Sequence, residues 1–146
     1  MDQKALAVQA GWLAAVQAGG YRLTRPLRAI IAVLAGVPFA LSPVEVFDRA
    51  RLRFPQLGLV TVYRALGKLE QLGLVQRVHQ SNGCHCYIQA SSGHQHLLIC
   101  GECGRAAYFS GDDLDNLIAQ LQERTGYVIK DHWLQLSGRC IECQKS

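Results

Sequence analysis

Apolar residues recur at helical spacing through most of the first half of the chain. Within residues 2–18, Leu6, Trp12, Leu13 and Val16 share one face, and Gly19-Gly20 closes the run, which predicts a first helix. A second is predicted to start at Thr24, a residue type suited to an N-cap. It continues through Pro26 and the stripe Leu27, Ile30, Ile31 and Leu34, and ends at Gly36 and Pro38. Ser42-Pro43-Val44-Glu45 has the pattern of a capping box with proline at the first helical position, so a short third helix runs through Val46, Phe47 and Ala50 and stops before Pro55. Val62, Leu66, Leu69 and Leu72 then mark a fourth helix from about Leu59 to Gly73, with Thr61, Arg64 and Lys68 off its apolar stripe.

After Gly73 the pattern shortens. Leu74 to His79 and Cys84 to Gln89 read as strands around Ser81-Asn82-Gly83, where Asn-Gly favours a two-residue hairpin turn. Helices followed by such a hairpin make a winged helix. Beyond it the reading is a strand at His96 to Cys100, another near Arg105 to Phe109, a helix from about Asp112 to Arg124 and a strand from Tyr127 to Leu136. The expected fold class is therefore α+β. A winged-helix domain over residues 1–88 and a short hinge over 89–93 precede a small C-terminal α/β domain over 94–146.

Charge and cysteine placement follow the same division. Residues 1 to 79 hold ten Lys/Arg against four Asp/Glu, whereas residues 80 to 146 hold five against seven, together with all six cysteines. The first half suits an anion and the second a cation. The chain of 146 residues has room for one or two small domains. It holds no run of the roughly 20 apolar residues a membrane helix needs, and Met1-Asp2-Gln3-Lys4 lacks a signal-peptide pattern, so a cytoplasmic protein without a membrane partner is expected. Cysteines in such a compartment stay reduced, and close-spaced pairs there mark metal more often than disulfides.

Cys100-Gly-Glu-Cys103 and Cys140-Ile-Glu-Cys143 are two Cys-x-x-Cys knuckles, whose spacing lets both thiolates of each reach one tetrahedral ion. Four thiolates favour a structural Zn2+. Independent thioredoxin-like redox motifs are the alternative, but these need a βαβ setting and a helix N-terminus that neither knuckle is predicted to have. A closed four-thiolate site has no open position for catalysis, and no nucleophile, base and orienter combination stands out elsewhere. Neither an enzyme nor a small-molecule substrate is expected.

A second group, Cys84, Cys86, His94 and His96 with His79 on the preceding strand, also offers metal donors, because alternate strand residues share a face. Singly, each is better explained as a small core cysteine or a surface histidine; five within eighteen residues point to metal. Thr61-Val62-Tyr63-Arg64 opens the fourth helix, where exposed residues of a recognition helix meet a major groove.

Several ordered segments together carry a family resemblance: Arg22-Leu-Thr, Val60-Thr-Val-Tyr-Arg-Ala-Leu-Gly-Lys-Leu, Gly73-Leu-Val, His94-Gln-His-Leu-Leu-Ile-Cys-Gly-Glu-Cys-Gly, and His132-Trp-Leu-Gln-Leu-Ser-Gly-Arg-Cys-Ile-Glu-Cys. Over nearly its whole length the chain resembles the ferric uptake regulator family, and most of all its zinc-responsive branch. The resemblance implies a homodimeric repressor that binds double-stranded palindromic operator DNA, with Thr61, Tyr63 and Arg64 in the contact segment. It also implies a C-terminal dimerisation domain with the four-cysteine zinc and a second, regulatory divalent metal held by His94, His96, Asp115 and His132. The usual iron-type site looks incomplete, with Ala40, Ile88, Gln95, Leu97 and Tyr108 where many members have His or Glu. A candidate hinge sensor site, similar to that of the zinc-responsive branch, draws on His79 with Cys84 or Cys86.

Thiolate and imidazole suit zinc better than iron(II), so Zn2+ is the expected signal, with Fe2+ and Mn2+ as alternatives. An iron- or peroxide-sensing regulator with Cys84 or Cys86 as its redox thiol is the rival within the family. A zinc-ribbon interaction module without DNA binding is the rival outside it.

Overall fold

The structure is a computed structural model that describes residues 2–80, 82–91, 95–111 and 114–146. The chain divides into two units, one ending at Ala90 and the other spanning Ser91–Ser146.

Four helices build most of the first unit. α1 (Gln3–Ala18) starts under an Asp2 cap and buries Trp12 and Val16, while Leu6 of the expected stripe stays exposed. α2 (Arg25–Ala35) is capped by the Thr24 hydroxyl, which accepts from Leu27 N–H, and its stripe of Leu27, Ile30, Ile31 and Leu34 is buried. α3 (Pro43–Ala50) carries the full capping box: Ser42 N–H donates to Glu45 Oε2 at 2.7 Å and Glu45 N–H donates to Ser42 Oγ at 3.2 Å. α4 (Leu59–Gln71) packs Val62, Ala65, Leu66 and Leu69 inward and ends at Gly73, whose φ of +70° suits glycine. These residues, with Leu41, Val46, Ala50, Val75 and Tyr87, form the core.

β1 (Val75–His79) and β2 (His85–Gln89) pair antiparallel as the wing, and Leu41 adds a bridge to Tyr87 through two backbone bonds of 2.8 and 2.9 Å. The reversal is not the two-residue Asn-Gly turn that the sequence predicts. Gly83 N–H bonds the Gln80 carbonyl and Gln80 N–H bonds the Cys84 carbonyl, both at 3.0 Å, and among the described residues of the loop only Gly83 takes a positive φ, +82°. A tight type I′ turn would require Asn82 there too, so the loop is longer, and Gly83 supplies a left-handed step in it. From the wing, Gln89 Nε2 reaches the carbonyls of Leu34, Ala35 and Val37 at 3.0–3.1 Å and so satisfies the C-terminal end of α2.

The second unit is a three-stranded sheet in the order β4-β3-β5, built from β3 (His96–Cys100), β4 (Ala106–Phe109) and β5 (Gln135–Gly138). β4 lies antiparallel to β3 and β5 parallel to it. α5 (Leu114–Thr125) supplies the crossover and α6 (Ile141–Gln144) closes the chain. The expected helix start at Asp112 lies outside the described residues. The last strand differs from expectation: residues 127–134 are not strand, and pairing begins where Leu97 N–H meets the Leu134 carbonyl at 3.1 Å. Leu97 lies opposite Gln135 near the start of β3, and Tyr127, Val128 and Trp133 of the expected strand pair with no strand among the described residues and are exposed.

Candidate metal centre

β3 ends on Cys100 and the chain turns at once. Gly104, at φ +74°, donates to the Cys100 carbonyl at 3.0 Å, and Cys100 N–H donates to the Arg105 carbonyl at 2.8 Å as β4 begins. Parallel pairing sets Gly138 level with Cys100, so Cys140 emerges beside the first knuckle at the N-cap position of the one-turn α6, a helix N-terminus that the sequence pattern does not predict for either knuckle. Gly101 N–H bonds the Gly138 carbonyl at 3.0 Å and Cys140 N–H donates to Cys100 Sγ at 3.3 Å. Cys103 Sγ and Cys140 Sγ are 3.6 Å apart, and the sulfurs of Cys100, Cys103, Cys140 and Cys143 all lie within 4.8 Å of one another. A tetrahedral zinc with Zn–S near 2.3 Å separates its sulfurs by about 3.8 Å, so the set fits that ion. Arg139 Nε, 2.6 Å from Glu102 Oε1, links the two knuckles on their solvent side.

Backbone N–H groups of Cys140, Cys103 and Glu102 point at the Cys100 sulfur and bring its thiol down to about 6. Cys140 is also held below the ordinary thiol value, chiefly by the Cys143 N–H, whereas the Cys140 sulfur beside Cys143 pushes that thiol up. Sulfurs so close cannot all ionise without a cation between them, and zinc supplies the two positive charges that let them do so.

The other expected donors are distributed differently. His96 is fully buried, its ring centre 5.3 Å from that of His132 and 5.5 Å from Phe109. His94 lies outside the described residues. Asp115 sits exposed in the first turn of α5, and among the described residues only the four cysteines gather as three or more donors around one point. On the wing, Cys86 is buried opposite Val78 and Cys84 is exposed two residues away, so both share a face. His79 points to the other face, opposite His85, a residue the sequence reading had not singled out as a donor; the alternation of β1 and β2 was the signal that could have found it. Thr61, Tyr63 and Arg64 form an exposed strip along the start of α4, with Val62 buried between them.

Residues 18–137 match the model of the ferric uptake regulator family. The chain belongs to the ferric uptake regulator family. Among relatives, it is 30% identical over 129 residues to the zinc uptake regulation protein of Mycobacterium tuberculosis, covering 88% of this chain and 99% of that one. It is 34% identical over 89 residues to the ferric uptake regulation protein of Neisseria gonorrhoeae, a match that spans 61% of this chain and 62% of the Neisseria protein. A solved zinc uptake regulator complexed with zinc and DNA superposes with a TM-score of 0.75 at 21% identity, covering 99% and 97% of the two chains. The iron-bound ferric uptake regulator of Francisella tularensis gives 0.70 at 26% identity, with 86% and 96% covered. Of the five residues named for the iron-type comparison, Ala40, Ile88 and Leu97 are apolar and buried, whereas Gln95 and Tyr108 are polar and half-buried.

Proposed function

We propose that the chain is a cytoplasmic, metal-responsive transcriptional repressor that binds operator DNA as a homodimer and uses zinc as its corepressor. The observation that carries the regulatory site is the imidazole pair of His96 and His132, 5.3 Å apart, donors that zinc and iron both accept; the choice of zinc follows the near full-length likeness to a zinc uptake regulation protein, with Ala40, Ile88 and Leu97 offering no iron-type donors. His94 and Asp115 complete the proposed regulatory set, and Cys100, Cys103, Cys140 and Cys143 hold the structural ion. Two relatives named for zinc uptake regulation, one aligned along nearly its full length and one solved with zinc and DNA, support the same reading.

The exposed strip of Thr61, Tyr63 and Arg64 is the proposed DNA-reading surface, and the basic first half supplies attraction to phosphate. Dimerisation is assigned to the second unit. There α5 buries no side chain, and Leu98, Leu117, Leu121, Trp133 and Leu136 stand exposed, more apolar surface than a small isolated unit keeps in water. The regulatory ion works by binding the DNA-competent state more tightly than the other state, which shifts the population toward repression.

Operator binding measured at fixed salt across buffered zinc concentrations tests the assignment. The wild type is expected to tighten with zinc, and His96→Ala and His132→Ala to lose that dependence while keeping the structural ion. Unchanged zinc dependence in both variants would remove these histidines from the sensor, and a response to Fe2+ but not Zn2+ would favour the iron-sensing alternative.

A further inference from the structure

The wing carries a second pair of metal-type donors on the face away from its two cysteines. His79 closes β1 and His85 opens β2; the two are directly opposite in the antiparallel register, and both are exposed. Their ring centres are 4.8 Å apart with planes at 75°. We propose that His79 and His85 form a two-imidazole site for a divalent transition-metal ion on the wing, distinct from the four-cysteine centre and from the His96–His132 pair.

The spacing of the two rings is compatible with chelation. An ion about 2.1 Å from one nitrogen of each ring, seeing the rings at roughly 90–109°, holds the ring centres about 4.5–5.2 Å apart. The observed separation falls inside that window. The backbone fixes the pairing from the hairpin end: Gln80 N–H bonds the Cys84 carbonyl at 3.0 Å, and Cys84 N–H bonds Asn82 Oδ1 at 2.9 Å. Only side-chain torsions therefore need to adjust on binding, which keeps the ordering cost small.

The surroundings suit a cation. Arg77, the nearest positive residue along the same face, is engaged by Glu70 at 2.9 Å and lies over the Tyr87 ring, so its charge is balanced locally. Cys84 and Cys86 fall on the other face, which leaves a nitrogen donor pair with water or an anionic oxygen in the remaining positions. Such a set accepts Zn2+, Co2+, Ni2+ or Cu2+ and disfavours Mg2+ and Ca2+. A bound ion would cross-link the two strands next to their reversal and stiffen the wing.

The test uses the full chain with its structural zinc in place and Co2+ as the probe. The wild type is expected to take up one more cobalt equivalent than either His79→Ala or His85→Ala. That equivalent should give weak d–d absorption without a thiolate charge-transfer band. Cys84→Ser and His132→Ala should both retain it. Because both histidines are exposed, their replacement leaves the fold intact, and matching thermal midpoints would verify this. Equal cobalt uptake by His85→Ala and wild type would overturn the proposal, as would a thiolate band that disappears in Cys84→Ser. The zinc reading of the second unit fails separately, through His132→Ala, so the two outcomes are independent.

Discussion

Cys103 and Cys140 are 37 positions apart in the chain and 3.6 Å apart at their sulfurs, which fastens the end of the second unit to the turn after β3. That unit has little else to hold it. Among the described residues its buried side chains are those of His96, Leu97, Ile99 and Cys100, all on β3, and its long helix buries none. A structural zinc contributes a free energy comparable with the whole stability of a small domain, so the sulfur cluster carries much of what keeps β5 beside β3.

Metal removal should accordingly loosen one unit and spare the other. In the Cys140→Ser/Cys143→Ser protein, or after strong chelation, amides of β3, β4 and β5 are expected to exchange rapidly while those of α2 to α4 stay protected. Hydrogen exchange read by mass spectrometry on the full chain resolves the two. Retained protection in β5 without metal would show that packing, and not the ion, holds the sheet.

The helices and this cluster were readable from sequence because each signal is local. Thr24, Ser42 and Glu45 bond partners three residues away, and each knuckle needs only a two-residue gap. What escaped depends on partners far along the chain. Tyr127, Val128 and Trp133 have strand-forming character, but they pair with no strand among the described residues. Gln89 looked like an ordinary strand end, yet its amide caps α2 more than fifty residues upstream. The resemblance to the zinc-responsive branch groups His79 with Cys84 or Cys86; the register of the hairpin sends His79 to the opposite face, with His85. His94 and the expected helix start at Asp112 fall outside the described residues and Asp115 is exposed on α5, so the regulatory set rests on the contact of His96 with His132.

Cys86 and Cys84 should differ sharply in reactivity. Burial, then the nearby charges of Glu45 and Cys84, push the Cys86 thiol up to about 11, so at neutral pH it is a protonated, inaccessible thiol. Alkylation of zinc-loaded protein followed by mass spectrometry should label Cys84 first and Cys86 only on unfolding. The sign for stability follows from the raised folded value. Its contribution is complete below the unfolded thiol value of about 9 and is lost as pH rises through about 11. A Cys86→Ser protein should therefore lose less stability between pH 9 and 11 than wild type. Early oxidation of Cys86 by peroxide would instead favour a redox sensor.

Leu66 is fully buried on the inner face of α4, directly behind the strip that is proposed to read DNA. Leu66→Ala removes that packing and should cost about 2–5 kcal/mol, through lost transfer energy plus the cavity left behind. Urea unfolding followed by helical circular dichroism should show the loss, while zinc content stays at the wild-type level because all four ligands lie in the other unit. A matching loss of zinc would mean that the two units fold as one.

Arg64 stands exposed near the start of α4 with no ion pair among the described residues, and its place on the helix suits either a phosphate or a base edge. The two roles leave different marks. If Arg64 neutralises a phosphate, Arg64→Ala should weaken binding to every duplex alike and reduce the slope of log K against log salt by about 1. If it reads a base, the variant should lose about 1–3 kcal/mol on the operator and far less on unrelated DNA, which relaxes specificity. Anisotropy titrations at several salt concentrations and one buffered zinc level, run with operator and scrambled duplexes, separate these cases. A variant identical to wild type on both duplexes would take the α4 strip out of the DNA-reading surface and leave the zinc-ribbon module as the better account of the chain.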